Sequence, residues 1–162
     1  MAPQPGAFYS RRVTTPLYNR DILRLAASIP HQRRLERPQA SARRRSPVCG
    51  SEVVVDVELG PDGRIGALGQ EVKACALGQA SAALMGAHAV GATPAELAAA
   101  RDALAAFLAG NRGDPGAWPG LDSLAVARPF AARHASILLA FEAAAAAAEE
   151  AAAAAPAAAG AA

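Results

Sequence analysis

Three side chains in this chain have the chemistry to handle a soft metal or a sulfur atom: Cys49, Cys75 and His134. Cys49 sits in Ser46-Pro47-Val48-Cys49-Gly50-Ser51, where Pro and Gly fix the backbone and leave the sulfur unscreened, so a functional thiol is the favoured reading. Cys75 falls where a strand hands over to a helix, and helix N-terminal N–H groups and the macrodipole favour a thiolate. A small buried hydrophobe is the other reading of Cys75, and it stays open. His134 lies near the start of the last helix, where a lone His is more often a surface or capping residue. Cys49 and Cys75 are separated too widely for a local metal knuckle, so any shared site requires the fold to bring distant segments together.

Other chemistries find no support. There is no phosphate-binding GxxxxGK[ST] or GxGxxG loop and no GxSxG nucleophile elbow. Asp56 and Glu58 alternate on a strand and read as solvated. His31 and His88 read as structural or exposed. With no secretory h-region in residues 1–15, a reducing, cytoplasmic setting is the expectation, and there a Cys pair points to metal or redox chemistry.

The 162 residues suit one domain. Alanine supplies much of the apolar content, so the core must rest on a few Leu, Ile, Val and Phe positions. No apolar run approaches the roughly 20 residues that span a bilayer, so no membrane is expected. Residues 1–45 hold ten Arg against Asp21 and Glu36, a balance of +8; the remainder holds six basic and twelve acidic residues, a balance of −6. These Arg residues are spread along a predicted helix and strand, which reads as a solvated face, and nucleic acid is not expected as a partner.

The elements that position the candidates follow from periodicity. Residues 1–14 read as a flexible leader. Thr15-Pro16 opens a helix whose inner face is Tyr18, Ile22, Leu25 and Ile29, ending at Pro30. A basic loop over 31–38 leads to a short edge strand over 39–46. Ser51–Leu59 and Ile65–Lys73 pair as a hairpin around Gly60-Pro61-Asp62-Gly63. A helix follows Cys75, and Thr93-Pro94-Ala95-Glu96 is a capping box opening the next. A short helix over 121–127 precedes a final helix from about Ala131. From Ala143 the chain is alanine-rich and reads as having nothing to pack with. The expected organisation is a leader (1–14), one domain (15–145) and a low-complexity tail (146–162). The fold class is α+β, with a three-stranded antiparallel sheet covered by helices on one face.

On these residues the sequence resembles the IscU/NifU N-terminal (SufU-like) family of iron–sulfur cluster assembly scaffolds. The basic loop Ile29-Pro30-His31-Gln32-Arg33-Arg34-Leu35-Glu36-Arg37-Pro38 is similar to the family's loop after its first helix. Cys49-Gly50-Ser51 matches a Cys-Gly-Asp turn. Cys75-Ala76-Leu77-Gly78-Gln79-Ala80-Ser81-Ala82-Ala83 matches a second Cys opening a Ser- and Ala-rich helix. Arg133-His134-Ala135-Ser136-Ile137-Leu138 occupies the region of the third family Cys.

The resemblance implies a scaffold, not an enzyme, that binds iron or a [2Fe–2S] cluster and passes it to apo-proteins, with sulfur supplied by a cysteine desulfurase. It implies Cys49, Cys75 and His134 as metal ligands, with Ser51 in the family's Asp position. A Cys₂His set suits zinc as well as iron, so a zinc-bound sulfur acceptor is an alternative, and an adaptor that lost the chemistry is another. The Leu-Pro-Pro-Val-Lys segment read by a dedicated Hsp70-type chaperone is replaced by Arg128-Pro129-Phe130-Ala131-Ala132-Arg133, so recognition by that chaperone is not expected.

Overall fold

The computed structural model describes residues 18–154. Asn19 caps α1 (Arg20–Ala27), its side chain accepting from the Ile22 N–H. The start expected at Thr15-Pro16 lies outside the described residues. Ile22 is fully buried, Leu25 and Ile29 pack on the core, and Tyr18 of the expected inner face is exposed. Three antiparallel strands follow in the order β1 (Ala40–Arg45), β2 (Glu52–Leu59) and β3 (Ile65–Lys73). They are succeeded by α2 (Ala76–Ala89), α3 (Pro94–Leu108), 3₁₀ turns at Leu121–Ala127 and Ala131–Arg133, and α4 (His134–Ala154). The fold class is thus the α+β arrangement expected.

The register places Val53, Val55 and Val57 of β2 opposite Val72, Gln70 and Leu68 of β3 on the face that the helices cover. The other face is not left to solvent along its whole length. Asp56 points there, fully buried, and receives Arg34 through Nε (2.7 Å) and Nη2 (3.0 Å), the Leu35 N–H (2.9 Å) and the Ser41 hydroxyl. The expectation of a solvated Asp56 is therefore corrected: the basic loop supplies a guanidinium and a backbone donor that satisfy a buried carboxylate. Burial opposes the charge of Asp56, but the hydrogen bonds from Arg34, Ser41 and Leu35 outweigh it and hold the carboxyl below its ordinary range. Gly69 makes this packing possible, since a Cβ there would collide with the Arg33 carbonyl.

The two sheet edges are handled differently. The β3 edge is covered by backbone: Gln70 N–H donates to His31 O, Ile65 N–H to Ala92 O, and Gly91 N–H to Ile65 O. β1 remains an edge and carries exposed Arg43, Arg44 and Arg45, charges that disfavour pairing with another chain.

The alanine tract departs most from expectation. α4 runs through Ala154 across β1 and β2 and against α2 and α3. Ala143, Ala144, Ala145, Ala147, Ala148 and Ala151 are fully buried, so the tract does not lack packing partners; it is the central helix. Single methyl groups let a helix lie close to a sheet and two other helices at once, and alanine forms helix well. A larger side chain should not fit: Ala147→Leu is expected to cost about 1–3 kcal/mol through overpacking, seen as a lowered melting temperature, while Ala153→Leu on the exposed side should leave it within error.

Candidate functional site

The turn that carries Cys49 is closed by its own backbone. Ser46 N–H donates to Ser51 O (2.8 Å) and Gly50 N–H to Ser46 O (3.0 Å), with Gly50 at φ 76°, where a side chain is disfavoured. This lifts Val48 and Cys49 to the surface and turns Ser46 and Ser51 inward: Cys49 is exposed, Ser46 and Ser51 buried. The Cys49 sulfur lies 3.1 Å from Ser51 Oγ and 3.6 Å from Ser46 Oγ.

Cys75 is the N-cap residue of α2, but its side chain makes no capping bond. Its sulfur instead meets Ser136 Oγ of α4 at 3.4 Å, and Ser136 in turn donates to Ser51 Oγ at 2.9 Å. The two cysteines are therefore joined through two buried hydroxyls, Ser51 and Ser136. Each hydroxyl has one proton, which fixes the direction of the chain. Ser136 spends its proton on Ser51, so Cys75 as a thiol can only donate into Ser136. The Ser51 proton is left to point at Cys49. That polarity favours negative charge on Cys49, whose pKa is lowered to about 6 by the hydroxyl of Ser51 first, then by Ser46 and the Ser51 backbone.

Gly78 is what admits Ser136 to this position. A Cβ at 78 would stand 2.9 Å from Ser136 Oγ and 2.7 Å from Ala74 Cβ. One turn of α2 further on, the Ser81 hydroxyl donates to Ile137 O at 2.6 Å and ties α2 to α4 beside the site.

Of the residues expected from sequence, Cys49, Ser51 and Cys75 come together. His134 opens α4, and its Nε2 is 2.9 Å from Ala127 O. A carbonyl can only accept, so Nε2 carries the proton and has no lone pair there for a metal; Nδ1 keeps one. Among the described residues no three His, Cys, Asp or Glu side chains are grouped as metal ligands. The member of Arg133-His134-Ala135-Ser136 that reaches the cysteines is Ser136, two residues beyond His134. A sequence signal for it existed: Ser136 shares the i, i+3, i+4, i+7 stripe with Leu139, Ala140 and Ala143, so it is a polar group on a buried face.

Two thiols thus stand at one end of a three-stranded α+β fold. A nitrogen-fixing NifU-like protein (N-terminal) from Brucella abortus is 38% identical, with a TM-score of 0.77 over 85% of this chain and 96% of that one. The chain belongs to this NifU-like (N-terminal) family. A protein from Fervidobacterium islandicum AW-1, named as a candidate iron–sulfur cluster assembly scaffold for the SUF system, shares the fold at 18% identity (TM-score 0.74; 81% of this chain, 96% of that one). A protein described only as hypothetical does so at 19% identity (TM-score 0.64; 80% and 94%). No protein-family sequence model matches the chain, and no curated protein does. Among the described residues no helix is long and apolar enough to cross a membrane.

The hydroxyl chain has a measurable consequence at Cys49. Because the thiolate is the reactive form, iodoacetamide should modify Cys49 with a rate that rises through a midpoint near pH 6 and is already close to its plateau at pH 7. Ser51→Ala removes the largest stabilising bond and should move that midpoint upward. Rates followed by mass spectrometry in the Cys75→Ser background isolate Cys49.

Proposed function

We propose that this chain is a two-thiol iron–sulfur assembly scaffold, in which Cys49 receives sulfur from a cysteine desulfurase and Cys75 shares the cargo before it passes to an apo-protein. The observation that carries this reading is the joining of Cys49 and Cys75, from segments far apart in sequence, through Ser51 and Ser136 at one end of a NifU-type fold. The 38% identity to the Brucella abortus NifU-like protein supports it.

The donor set decides how metal enters. Thiolates suit both iron and zinc, but two thiolates complete neither a tetrahedral zinc site nor the four-ligand set of a [2Fe–2S] cluster. His134, its Nε2–H held by Ala127 O, has only Nδ1 to offer, and among the described residues no third His, Cys, Asp or Glu is grouped with the two cysteines; Ser51 and Ser136 are occupied with each other and with the sulfurs. A tightly held resident metal therefore does not fit these residues, and iron or a cluster is cargo that needs ligands from outside the chain. This favours sulfur acceptance over the zinc-bound variant.

The chemistry asked of the protein is then a sulfur transfer. The exposed Cys49 thiolate attacks the outer sulfur of a persulfide on the partner. A sulfur–sulfur bond forms at Cys49, the partner's own sulfur–sulfur bond breaks, and the partner's cysteine leaves as a thiolate. Ser51 and Ser46 lower the cost of keeping Cys49 charged before the attack. Cys75 stands ready as the second thiol for the sulfur or for iron.

Incubation with a low-molecular-weight persulfide donor, followed by intact-mass analysis under anaerobic conditions, tests the assignment. The wild type and Cys75→Ser should gain the mass of one sulfur atom, and Cys49→Ser should not. Equal loading of Cys49→Ser and wild type would remove Cys49 from the acceptor role.

A further inference from the structure

A second site opens at the far end of α2 from the thiols. Cys75 caps the N-terminus of this helix, and its 14 residues extend about 20 Å from there. At its C-terminal end a cavity of about 510 Å³ is bounded by the start of α3 and the loop over 112–119. That volume falls within the range of about 300–1,000 Å³ typical of small-molecule sites.

The cavity has an apolar floor and a rim that carries two guanidinium groups. Ala100 and Ala103 of α3 leave it wide, because neither side chain extends beyond one methyl. Trp118 forms a wall and is held there by its indole N–H, which donates to Leu84 O at 2.9 Å. Arg64 and Arg112 stand at the rim, each with a carboxylate beside it, Glu96 at Arg64 and Asp114 at Arg112. Arg64 is fixed by Nη1 donating to Gly91 O at 2.9 Å, and Arg112 by Nη2 donating to Asp114 at 2.9 Å. These bonds engage one terminal nitrogen of each guanidinium, which has five N–H donors in all. The Arg64–Glu96 pair is loose, at 3.6 Å between two half-exposed groups, and such pairs contribute little, so a ligand carboxylate can replace it.

We propose that this cavity binds a small organic carboxylate with an apolar body, the carboxylate taken by Arg64 and Arg112 and the hydrocarbon lying on Ala100, Ala103 and Trp118. None of these residues belongs to the thiol site, so this inference stands or falls apart from the sulfur-transfer reading.

Trp118 is the one tryptophan in the chain and lines the cavity, so its emission reports the site directly. Octanoate serves as probe and 1-octanol as its uncharged control. Titration of the full chain with octanoate should give a saturable change in Trp118 emission that octanol does not reproduce. Arg64→Ala and Arg112→Ala, both at exposed side chains, should each weaken octanoate binding about tenfold, the size of a lost charge-assisted hydrogen bond. Ala100→Phe should abolish binding by filling the floor, with a melting curve confirming that the variant is folded. An absent or non-saturable response to octanoate, an equal response to octanol, or unchanged affinity in the Arg64→Ala/Arg112→Ala double variant would overturn the proposal.

Discussion

Everything at the thiol end depends on how closely α4 can approach α2 and the sheet. The constraint is steric. Gly78 has no Cβ because a methyl there would collide with Ser136 Oγ and Ala74 Cβ, and α4 offers single methyl groups along the stretch that lies on β1 and β2. The Ser81 hydroxyl bonded to Ile137 O then fixes the two helices in register. With that approach in place, Ser136 reaches the gap between Ser51, on the β1–β2 connection, and Cys75, at the head of α2. Without it the two cysteines would belong to separate surfaces. The chain's unusual alanine content is thus part of how the site is assembled, since bulkier residues in α4 would hold it away from its neighbours.

The same end of the molecule shows how a site can be polarised without an ion pair. Two serine hydroxyls, each with one proton, impose a direction on the contacts from Cys75 to Cys49, and the Ser51 hydroxyl at its end favours the Cys49 thiolate. The clamp of Arg34 on buried Asp56 holds the basic loop against the opposite face of the sheet. Arginines near the sheet divide by role: Arg34, itself partly exposed, is bonded into the fold through Asp56, while Arg43, Arg44 and Arg45 keep an open edge strand charged.

Much of this was legible from residues alone, where a local rule decided the outcome. The β3 limits, the capping box at Thr93 and Glu96, and the N-terminal place of Cys75 on α2 follow from alternation, turn chemistry and capping, which act over a few residues. What could not be read was set by distant partners. The alanine tract has no bulky periodic face, and its burial becomes evident only once the sheet and two helices surround it. Asp56 alternates as a solvated residue would, and it is Arg34, brought in from the preceding loop, that makes its burial tolerable. His134 carried the more obvious metal chemistry; its Nε2–H is held by Ala127 O, and no third ligand is grouped with the two cysteines among the described residues. The quieter Ser136 lies on the buried stripe and enters the site.

The central claim is that Cys49 and Cys75 act as one site although neither sequence segment contains a two-cysteine motif. A short bifunctional thiol reagent, dibromobimane, becomes strongly fluorescent only when it joins two neighbouring sulfurs, so it reads this directly on the folded protein. The account predicts a fluorescent intramolecular bridge between Cys49 and Cys75, located by peptide mapping and lost in Cys49→Ser, in Cys75→Ser and on unfolding. A folded wild-type protein that takes up the reagent at each cysteine separately, with no bridge formed, would contradict it.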